Sequence, residues 1–559
     1  MHDYGSFPTQ PLPVQRDRRD AEPVRFKGIG GRSESEGLAR AGRGVAVASM
    51  VSRVTGFART LAVAAVLGTA AVGDAFNGAN NLPNMVYELL LGGVLASAVV
   101  PVLTRARRHG RQRSREFTQR VLLAAVLLLA VVTAVTVACA PLIVHVFIAD
   151  SGQRRLATAL AYLLLPQIFF YGVTVIVGAV LNVRDSFAAA AWAPVINNVI
   201  VLGTCAVFVL LPGPVTLTPA TMTSAQVLTI GLGATAGIVG QSVWMVAALR
   251  RNGFRWSWRA RPVPYTWRPV RAAVPIAGWL LVYAAISQLG VAITMRVAFD
   301  HEGVSISSYA ELLFQVPYGI LAASVLTVLM PRISRAAAVG DDSAVLADLA
   351  RGARYLSTAL IPVSMALSLF GPVFAALVFT GRVDPASAHL IGIAVACSSF
   401  GLAPFALVML QMRVFYAHND TRTPALINLV MVATKLAALA LATALLPAQA
   451  VVVMLSVASS LAYTAGAATG HVLLRRRHGL LGFTAVAATA HRVLWATAVA
   501  GVAGFAAVLL TNITVTTPTL DHLTALGAGG LVATAAFLLA AKLIGIPEIR
   551  TARTLLTRA

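Results

Sequence analysis

The chain is poor in charged residues and in lysine. Only 12% of its 559 residues are charged and 58% are hydrophobic, whereas soluble domains average about 25% charged residues. This composition excludes a soluble enzyme with a single membrane anchor. The chain has three lysines, Lys27, Lys435 and Lys542, and no GxxxxGK[ST] loop, so we do not expect it to hydrolyse ATP.

Metal-binding and disulfide patterns are also missing. The three cysteines, Cys139, Cys205 and Cys397, lie in apolar runs without CxxC spacing, which indicates neither a disulfide framework nor a zinc site. The histidines are scattered and no HExxH motif occurs, so no metal site is predicted. No loop is long enough to fold as a catalytic domain. We therefore expect a protein that is not an enzyme and that needs no cofactor.

Long apolar runs are what the chain does have. A membrane helix needs about 20 apolar residues, and fourteen such runs can be read from the sequence. They lie at 45–67, 75–103, 121–148, 156–181, 187–211, 225–249, 272–299, 306–330, 355–379, 386–412, 424–446, 449–474, 488–511 and 523–546. The sequence therefore predicts an all-α polytopic membrane protein. Because 14 is even, both termini are expected on one side.

Basic residues indicate which side that is. Of the 44 Lys and Arg residues, 37 lie in the termini and in every second connection, whereas the opposite connections hold only Arg154, Arg155 and Arg382. The positive-inside rule places both termini in the cytoplasm of a cell-membrane protein. It also explains the net charge of +23 without a nucleic-acid partner. Anionic membrane lipids would bind these loops at about 1 kcal/mol per basic residue.

Two parts of the sequence recur about 230 residues apart. Residues 93–108 resemble 319–337, and residues 170–198 resemble 404–428, with Pro194 and Asn197 aligned to Pro424 and Asn428. We therefore predict two six-helix bundles, 45–270 and 271–480, with the substrate between them. Two further helices occupy 481–546. Residues 1–44, which lack the apolar core of a signal peptide, and 547–559 are predicted to be cytoplasmic tails, the first of them disordered.

Four cations fall inside predicted spans: Arg53, Arg59, Arg296 and Lys435. Each costs roughly 2.5–3.5 kcal/mol if it faces lipid, so we expect them to face protein or water. Because arginine binds phosphate in a bidentate manner, we interpret the three arginines as the wall of a cationic cavity for an anionic substrate. The alternative is structural ion pairing. For Lys435 a structural pair or a position near a span end is favoured.

The first span carries two of these arginines six residues apart. Six residues turn a regular helix by about 600°, so Arg53 and Arg59 share a face only if the helix breaks. Gly56 lies between them and is the expected position of such a break, since irregular backbone is tolerated beside a cavity.

Three acidic residues also lie in or near the ends of the spans: Asp74, Glu88 and Glu311. Asp74 or Glu88 is a candidate ion-pair partner for Arg59. For Glu88 and Glu311 the sequence leaves two roles open, a structural pair or a carboxylate that couples transport to an ion.

The sequence of the first two spans, SRVTGFARTLAVAAVLGTAAVGDAFNGANNLPNMVYELLLGGVLASAVVPVL, resembles the opening of the MurJ (MviN) lipid II flippases. The stretches NVRDSFAAAAWAPVINN, YAELLFQVPYGILAASVLTVLMP and FYAHNDTRTPALIN are similar to later parts of that family. The resemblance, which is to the actinobacterial branch, implies a fourteen-helix member of the multidrug/oligosaccharidyl-lipid/polysaccharide exporter superfamily. Such proteins move lipid II, the lipid-linked peptidoglycan precursor, from the inner to the outer leaflet.

The resemblance also implies roles for particular residues. Arg53 and Arg59 match two arginines of the family's first helix that contact the pyrophosphate, and Asp74 matches the acidic residue of its DAF motif. Asn84 joins them as a substrate-binding candidate. The sequence departs from the family at three positions where many Gram-negative members are charged, namely Tyr87, Leu312 and Gln315. We expect a relocated charge pattern, in which Glu88, Glu311, Gln315, Arg296 and Lys435 take part.

Residues and resemblance together predict a lipid II flippase that works by alternating access. The driving force stays open between the membrane potential, a proton and a sodium ion. Alternatives are a flippase for another lipid-linked oligosaccharide, a multidrug antiporter, whose cationic substrates disfavour an arginine-lined cavity, a membrane-embedded glycosyltransferase, and a scaffold. Cell-wall and division proteins are expected partners by analogy.

Overall fold

The computed structural model describes residues 31–90, 111–184, 186, 188–214, 216–254, 268–479, 482–514 and 518–548. The part of the chain within these ranges is helical, with short connections and no strand. The helices of the first half are α1 Gly31–Leu67, α2 Ala71–Leu90, α3 Arg111–Ala138, α4 Ala140–Phe147, α5 Ser151–Leu164, α6 Gln167–Val183, α7 Ala188–Leu210 and α8 Ser224–Arg251.

The second half continues the same pattern. Its helices are α9 Arg268–Asp300, α10 Val304–Pro317, α11 Ala323–Ala338, α12 Asp342–Val378, α13 Pro385–Ser398, α14 Leu402–Ala417, α15 Arg422–Leu445, α16 Ala448–His478, α17 Phe483–Thr514 and α18 Pro518–Ile544. A π-helical turn, Tyr318–Ala322, joins α10 to α11, and a 3₁₀ turn, Ser399–Gly401, joins α13 to α14.

The helices match the predicted spans. Twelve described segments are long and apolar enough to cross a membrane, and the bent pair Leu122–Ala138 and Ala140–Phe147, which meets at 59°, adds a thirteenth. The remaining predicted span, 75–103, begins as α2, and its second part lies outside the described residues. The all-α polytopic membrane fold is thereby confirmed.

Helix α1 corrects two predictions. Residues 31–44, predicted to be part of a disordered tail, belong to this helix, because a membrane helix once formed extends readily into residues that favour helix. Gly56 does not break the helix either. A Cβ at Gly56 would lie 3.4 Å from Nδ2 of Asn198, so the glycine serves a close approach between α1 and α7. Since α1 is continuous, Arg53 and Arg59 point in different directions.

The hydrogen bonds that hold α7 against α1 are one half of the internal repeat. Pro194 lies inside this helix, and one turn later the Asn198 side chain reaches α1. Its Nδ2 donates to the carbonyl oxygen of Ser52 at 3.1 Å and to Oγ1 of Thr55 at 3.0 Å. One amide thus fixes the fifth membrane span of the bundle against the first.

The second bundle uses the same device. Nδ2 of Asn428 on α15 donates to the carbonyl oxygen of Tyr283 at 3.0 Å and to Oγ of Ser287 at 2.8 Å, both on α9. The structural counterpart of Asn428 is therefore Asn198, one residue beyond the Asn197 suggested by the sequence alignment. The other recurring pair cannot be compared, because 93–108 lies outside the described residues.

The last two helices pack on the second bundle. Val493 and Ala496 of α17 and Ala540 of α18 are buried together and contact Ile361 of α12. Their other faces expose large apolar side chains, among them Trp495, Phe505, Leu531 and Leu543. These two helices therefore lie at the lipid-facing side of α12.

Polar contacts join the two bundles at one end of the molecule, which we call the distal end and which carries connections 68–70, 148–150, 301–303 and 379–384. The backbone N–H of Arg382 donates to the carbonyl oxygen of Ala65, and its Nη1 donates to that of Val66, both at 2.9 Å. Nδ2 of Asn77 donates to Oγ of Ser305 at 3.0 Å and to the Tyr309 hydroxyl at 3.2 Å. The described conformation is closed at this end.

The described end of α18 lies at the opposite, terminal end. Glu548, just beyond that helix, lies 3.6 Å from Nε of Arg354 in the first part of α12. The terminal end also carries the connections 339–341 and 418–421.

Candidate functional site: two cavities between the bundles

A cavity of about 140 Å³ lies against α1, α2, α6, α7 and α8 and is closed on one side by Ser308 and Tyr309 of α10. Arg59 is the charged residue of its wall, and Tyr171 stands beside it. The rest of the polar wall is made of amides. These are Asn77, Asn80, Asn84, Gln167 and Asn197. We call this the first cavity.

Arg59 faces this cavity without a carboxylate. None of the described residues lining the first cavity is acidic, so the ion pairs considered for Arg59 are not formed among them. Amide side chains offer both donors and acceptors, and they keep the wall polar without cancelling the positive charge. An anion that enters the first cavity therefore meets one cation and several amide donors. Arg59 and Asn84, two of the predicted binding residues, are brought together here.

Asp74 lies outside the cavity wall. It is fully buried, and its Oδ1 accepts the backbone N–H of Ser305 at 2.7 Å, at the first turn of α10. An acidic group at a helix N-terminus is stabilised by the unpaired N–H groups there. The structure thus places Asp74 in the contact between the bundles, where it holds α2 to α10.

Arg53 lies apart from Arg59, as the unbroken α1 requires. Its side chain is exposed, and its guanidinium packs so close to Gly319 that a Cβ at residue 319 would overlap Nη1. Gly319 belongs to the π-helical turn of the second bundle. Arg53 is therefore a contact between the bundles and not a residue of the first cavity.

Arg296 does not supply the predicted third cation. Its Nη1 donates to the carbonyl oxygen of Phe147 at 2.9 Å, and its Nη2 lies 3.3 Å from Oδ1 of Asp300. Phe147 is the last residue of α4, where carbonyl groups lack helical partners. Arg296 is thus one helical turn from the distal end of α9, where its charge is already paired, and this corrects the cavity assignment.

A second cavity, of about 340 Å³, lies mainly against the second bundle. Lys435 of α15 and Glu311 of α10 both line it, with the hydroxyls of Ser456, Ser459 and Tyr463 from α16. Ser308 lines both cavities, so they are neighbours on the two sides of α10. Unlike the first cavity, the second contains charges of both signs.

The remaining coupling candidates differ in position. Gln315 extends the acidic side of the second cavity, because its Nε2 donates to Oε1 of Glu311 at 2.5 Å. Glu88 is exposed on α2 and lines neither cavity. The structure therefore groups Glu311, Gln315 and Lys435 and leaves Glu88 apart.

Apart from Asn84, which was predicted, the amides of the first cavity were missed in the sequence. Asn77, Asn80 and Asn84 recur at intervals of three and four residues, which places them on one face of α2. That spacing was readable in NGANNLPN. Gln167 offered no such signal, since it is a single amide in a long apolar run, and the adjacent Asn197 and Asn198 do not show by spacing which of them faces the cavity.

Comparison with known proteins gives the same family over most of the chain. The family model described as "Lipid II flippase MurJ" matches residues 63–520. The "Probable lipid II flippase MurJ" of Rhizobium meliloti (strain 1021) is 28% identical over 390 residues, which cover 67% of this chain and 70% of the relative. The "Lipid II flippase MurJ" of Burkholderia cenocepacia is 28% identical over 399 residues, covering 69% and 75%.

Solved structures show the same fold. The structure titled "Lipid II flippase MurJ, inward closed conformation" aligns with a TM-score of 0.70 at 16% identity and covers 89% of this chain and 98% of that chain. An inward-facing multidrug resistance MATE family transporter of the MOP superfamily aligns with a TM-score of 0.58 at 15% identity, covering 78% and 96%. Because the family model matches most of this chain, the chain belongs to the lipid II flippase MurJ family of multi-pass membrane transporters.

Proposed function

We propose that this protein moves lipid II from the inner to the outer leaflet of the cell membrane, with both termini in the cytoplasm. Family membership supports the substrate, and the observation that supports the mechanism is Arg59 in an amide-lined cavity between two bundles, where no described carboxylate lines the wall. The lipid II head carries a pyrophosphate, sugars and a peptide, which lose their water if they enter hydrocarbon unaided. Arg59 supplies the positive charge that the pyrophosphate needs during the passage.

The size of the first cavity bears on the transport cycle. Its volume of about 140 Å³ is below the 300–1,000 Å³ of sites for drug-sized ligands, and a lipid II head is larger still. The bundles must therefore separate before the head enters. With the distal end closed by inter-bundle hydrogen bonds, separation begins at the opposite, terminal end and breaks the contact between Arg53 and Gly319, which lies near the middle of the α10–α11 span.

No cofactor is required by this scheme, but net transport needs a driving force. The membrane potential contributes about 2.3 kcal/mol per unit charge per 100 mV, and Arg59 and Lys435 are charges on which it acts. The alternative is coupling to a proton or sodium ion through Glu311. Imposing a potential, a pH difference or a sodium gradient separately on proteoliposomes distinguishes these sources of energy.

The test is complementation of a strain depleted of its own lipid II flippase, with lipid II on the outer leaflet measured beside growth. Arg59→Ala and Arg59→Lys are compared with wild type at matched membrane levels. The control is Arg335→Ala, which removes an exposed arginine at the end of α11. We expect wild type and the control to restore both readouts, Arg59→Ala to restore neither, and Arg59→Lys to be intermediate, because lysine lacks the planar fork.

Two results would overturn the proposal in different ways. If correctly inserted wild type restores neither growth nor outer-leaflet lipid II, the substrate is another lipid-linked oligosaccharide or a drug. If Arg59→Ala works like wild type, the arginine is structural and the cavity mechanism fails whatever the substrate.

A further inference from the structure

Three residues far apart in sequence meet at the terminal end of the second bundle. Asp342 begins α12, His418 follows α14, and His478 ends α16. Nε2 of His418 lies 3.2 Å from Oδ1 of Asp342, and Nδ1 of His478 lies 3.0 Å from Oδ2 of the same carboxylate. All three ligand-type atoms lie within 4.8 Å of one another.

A hydrogen bond fixes the orientation of one imidazole. His418 Nδ1 lies 2.8 Å from the carbonyl oxygen of Val414, which accepts a hydrogen bond from Nδ1–H. In the neutral ring Nε2 then carries the lone pair, and this lone pair faces a carboxylate oxygen. Two acceptors at 3.2 Å repel each other unless a positive species lies between them. A metal ion satisfies both, and a backbone partner on the other ring nitrogen is the usual support of a metal-binding histidine.

The burial of the three side chains is consistent with a metal-binding site. The side chain of His478 is 7% exposed and that of His418 is 17% exposed, whereas Asp342 is 52% exposed. The two imidazoles are thus packed inside the protein, and the exposed carboxylate leaves the site open to an ion from the solvent. The neighbouring Asp420 is engaged elsewhere, since its Oδ2 accepts from Nη1 of Arg477 at 2.8 Å and from the Thr423 hydroxyl.

From this geometry we propose that Asp342, His418 and His478 form a binding site for a divalent transition metal of the zinc class. Two imidazole nitrogens and a carboxylate are ligands that zinc accepts, with bond lengths of about 2.0–2.2 Å. Such bonds give ligand-to-ligand distances of about 3.3 Å in a tetrahedron, close to the two nitrogen–oxygen distances observed. Water takes the remaining position.

The site would tie three helices together at the end from which the bundles separate. The ligands are 76 and 60 positions apart along the chain, so the metal closes long loops between the ends of α12, α14 and α16. An occupied site braces the second bundle and leaves the first bundle untouched. This inference does not depend on lipid II as the substrate.

The experiment is cobalt titration of the purified, tag-free full chain in detergent, followed by zinc competition. We expect one equivalent of Co²⁺ to bind with visible absorption typical of nitrogen and oxygen ligands and to be displaced by Zn²⁺. Asp342→Asn, which keeps the shape of the side chain, and His418→Gln should each weaken binding at least about a hundredfold, because loss of a ligand exceeds the 10- to 100-fold effect of outer-shell changes. The matched control is His301→Gln, at the distal end.

Folding is checked by gel filtration and by complementation of each variant. If His418→Gln does not fold, His418→Cys, which retains a metal ligand, should restore binding with a sulfur-to-cobalt charge-transfer band. The proposal is overturned if wild type binds less than one equivalent. It is equally overturned if Asp342→Asn binds cobalt as tightly as wild type and as the His301→Gln control.

Discussion

The two cavities lie on either side of α10 and differ in their charges. The first has Arg59 among amides and no acidic residue in its described wall. The second has Lys435 and Glu311 among hydroxyls. Since an unbalanced cation attracts an anion, whereas opposite charges largely balance each other, the first cavity is suited to bind an anionic group and the second attracts one less strongly.

This difference is notable because the two bundles share a scaffold. Asn198 and Asn428 make equivalent bonds to the first helix of their own bundles. The repeat thus conserves how the helices are held together and leaves the cavity residues free to diverge. The functional asymmetry lies in a few side chains that face the space between the bundles.

The largest expected effect is a difference between the two cations. Arg59→Gln should lower translocation about 10- to 150-fold, the equivalent of a charged hydrogen bond of about 1.5–3 kcal/mol. Lys435→Gln should lower it less than about tenfold, because Lys435 shares its cavity with an acid. The measurement is outer-leaflet lipid II at matched expression. Equal losses in both variants would remove the distinction between the cavities.

A second expected effect concerns the contact outside both cavities. Gly319→Val should displace Arg53, because even a Cβ at this position overlaps its guanidinium. We expect about a tenfold loss of translocation in Gly319→Val and in Arg53→Ala, and no further loss when they are combined, since residues in contact are not additive. Losses that multiply in the double variant would show that the two residues act separately.

A third effect tests whether the charges of the second cavity act as a pair. Glu311→Gln and Lys435→Met each leave one charge without its counter-charge, so each should reduce thermal stability in detergent more than the double variant does. Coupling energies between neighbouring groups are about 0.5–3 kcal/mol. The double-mutant cycle is measured by unfolding, with translocation as a second readout. Strictly additive losses would mean that Lys435 and Glu311 do not interact.

The sequence was sufficient for the fold because its signals are long. Apolar runs of 20 or more residues and the distribution of arginines are averaged over many positions, and thirteen of the fourteen predicted spans correspond to described helices or to the one bent pair. The angle argument for Arg53 and Arg59 also held once the helix proved continuous, since 600° of rotation separates them whatever surrounds them.

The candidate site was harder to predict, for a physical reason. Whether a buried cation faces a cavity or a partner depends on contacts between distant segments. Arg296 is paired within its own helix and with the end of α4, 149 residues away, and Asp74 meets Ser305, 231 residues away. The two long-range contacts leave no trace in local spacing, although the i,i+4 spacing of Arg296 and Asp300 was readable. The same holds for Asp342, His418 and His478, which lie 76 and 60 positions apart along the chain.

The smallest effect compares the two equivalent asparagines. Asn198→Ala and Asn428→Ala each remove two interhelical hydrogen bonds of similar length. Interhelical hydrogen bonds in membrane proteins average about 0.6 kcal/mol and reach about 1.7 kcal/mol, so each variant should lose stability in that range, and by nearly equal amounts, in thermal unfolding in detergent. Gly203→Ala, where a Cβ meets nothing within 4 Å, is the control on α7. A loss at only one asparagine would show that the shared scaffold is not energetically symmetric, and that the bundles differ in more than their cavities.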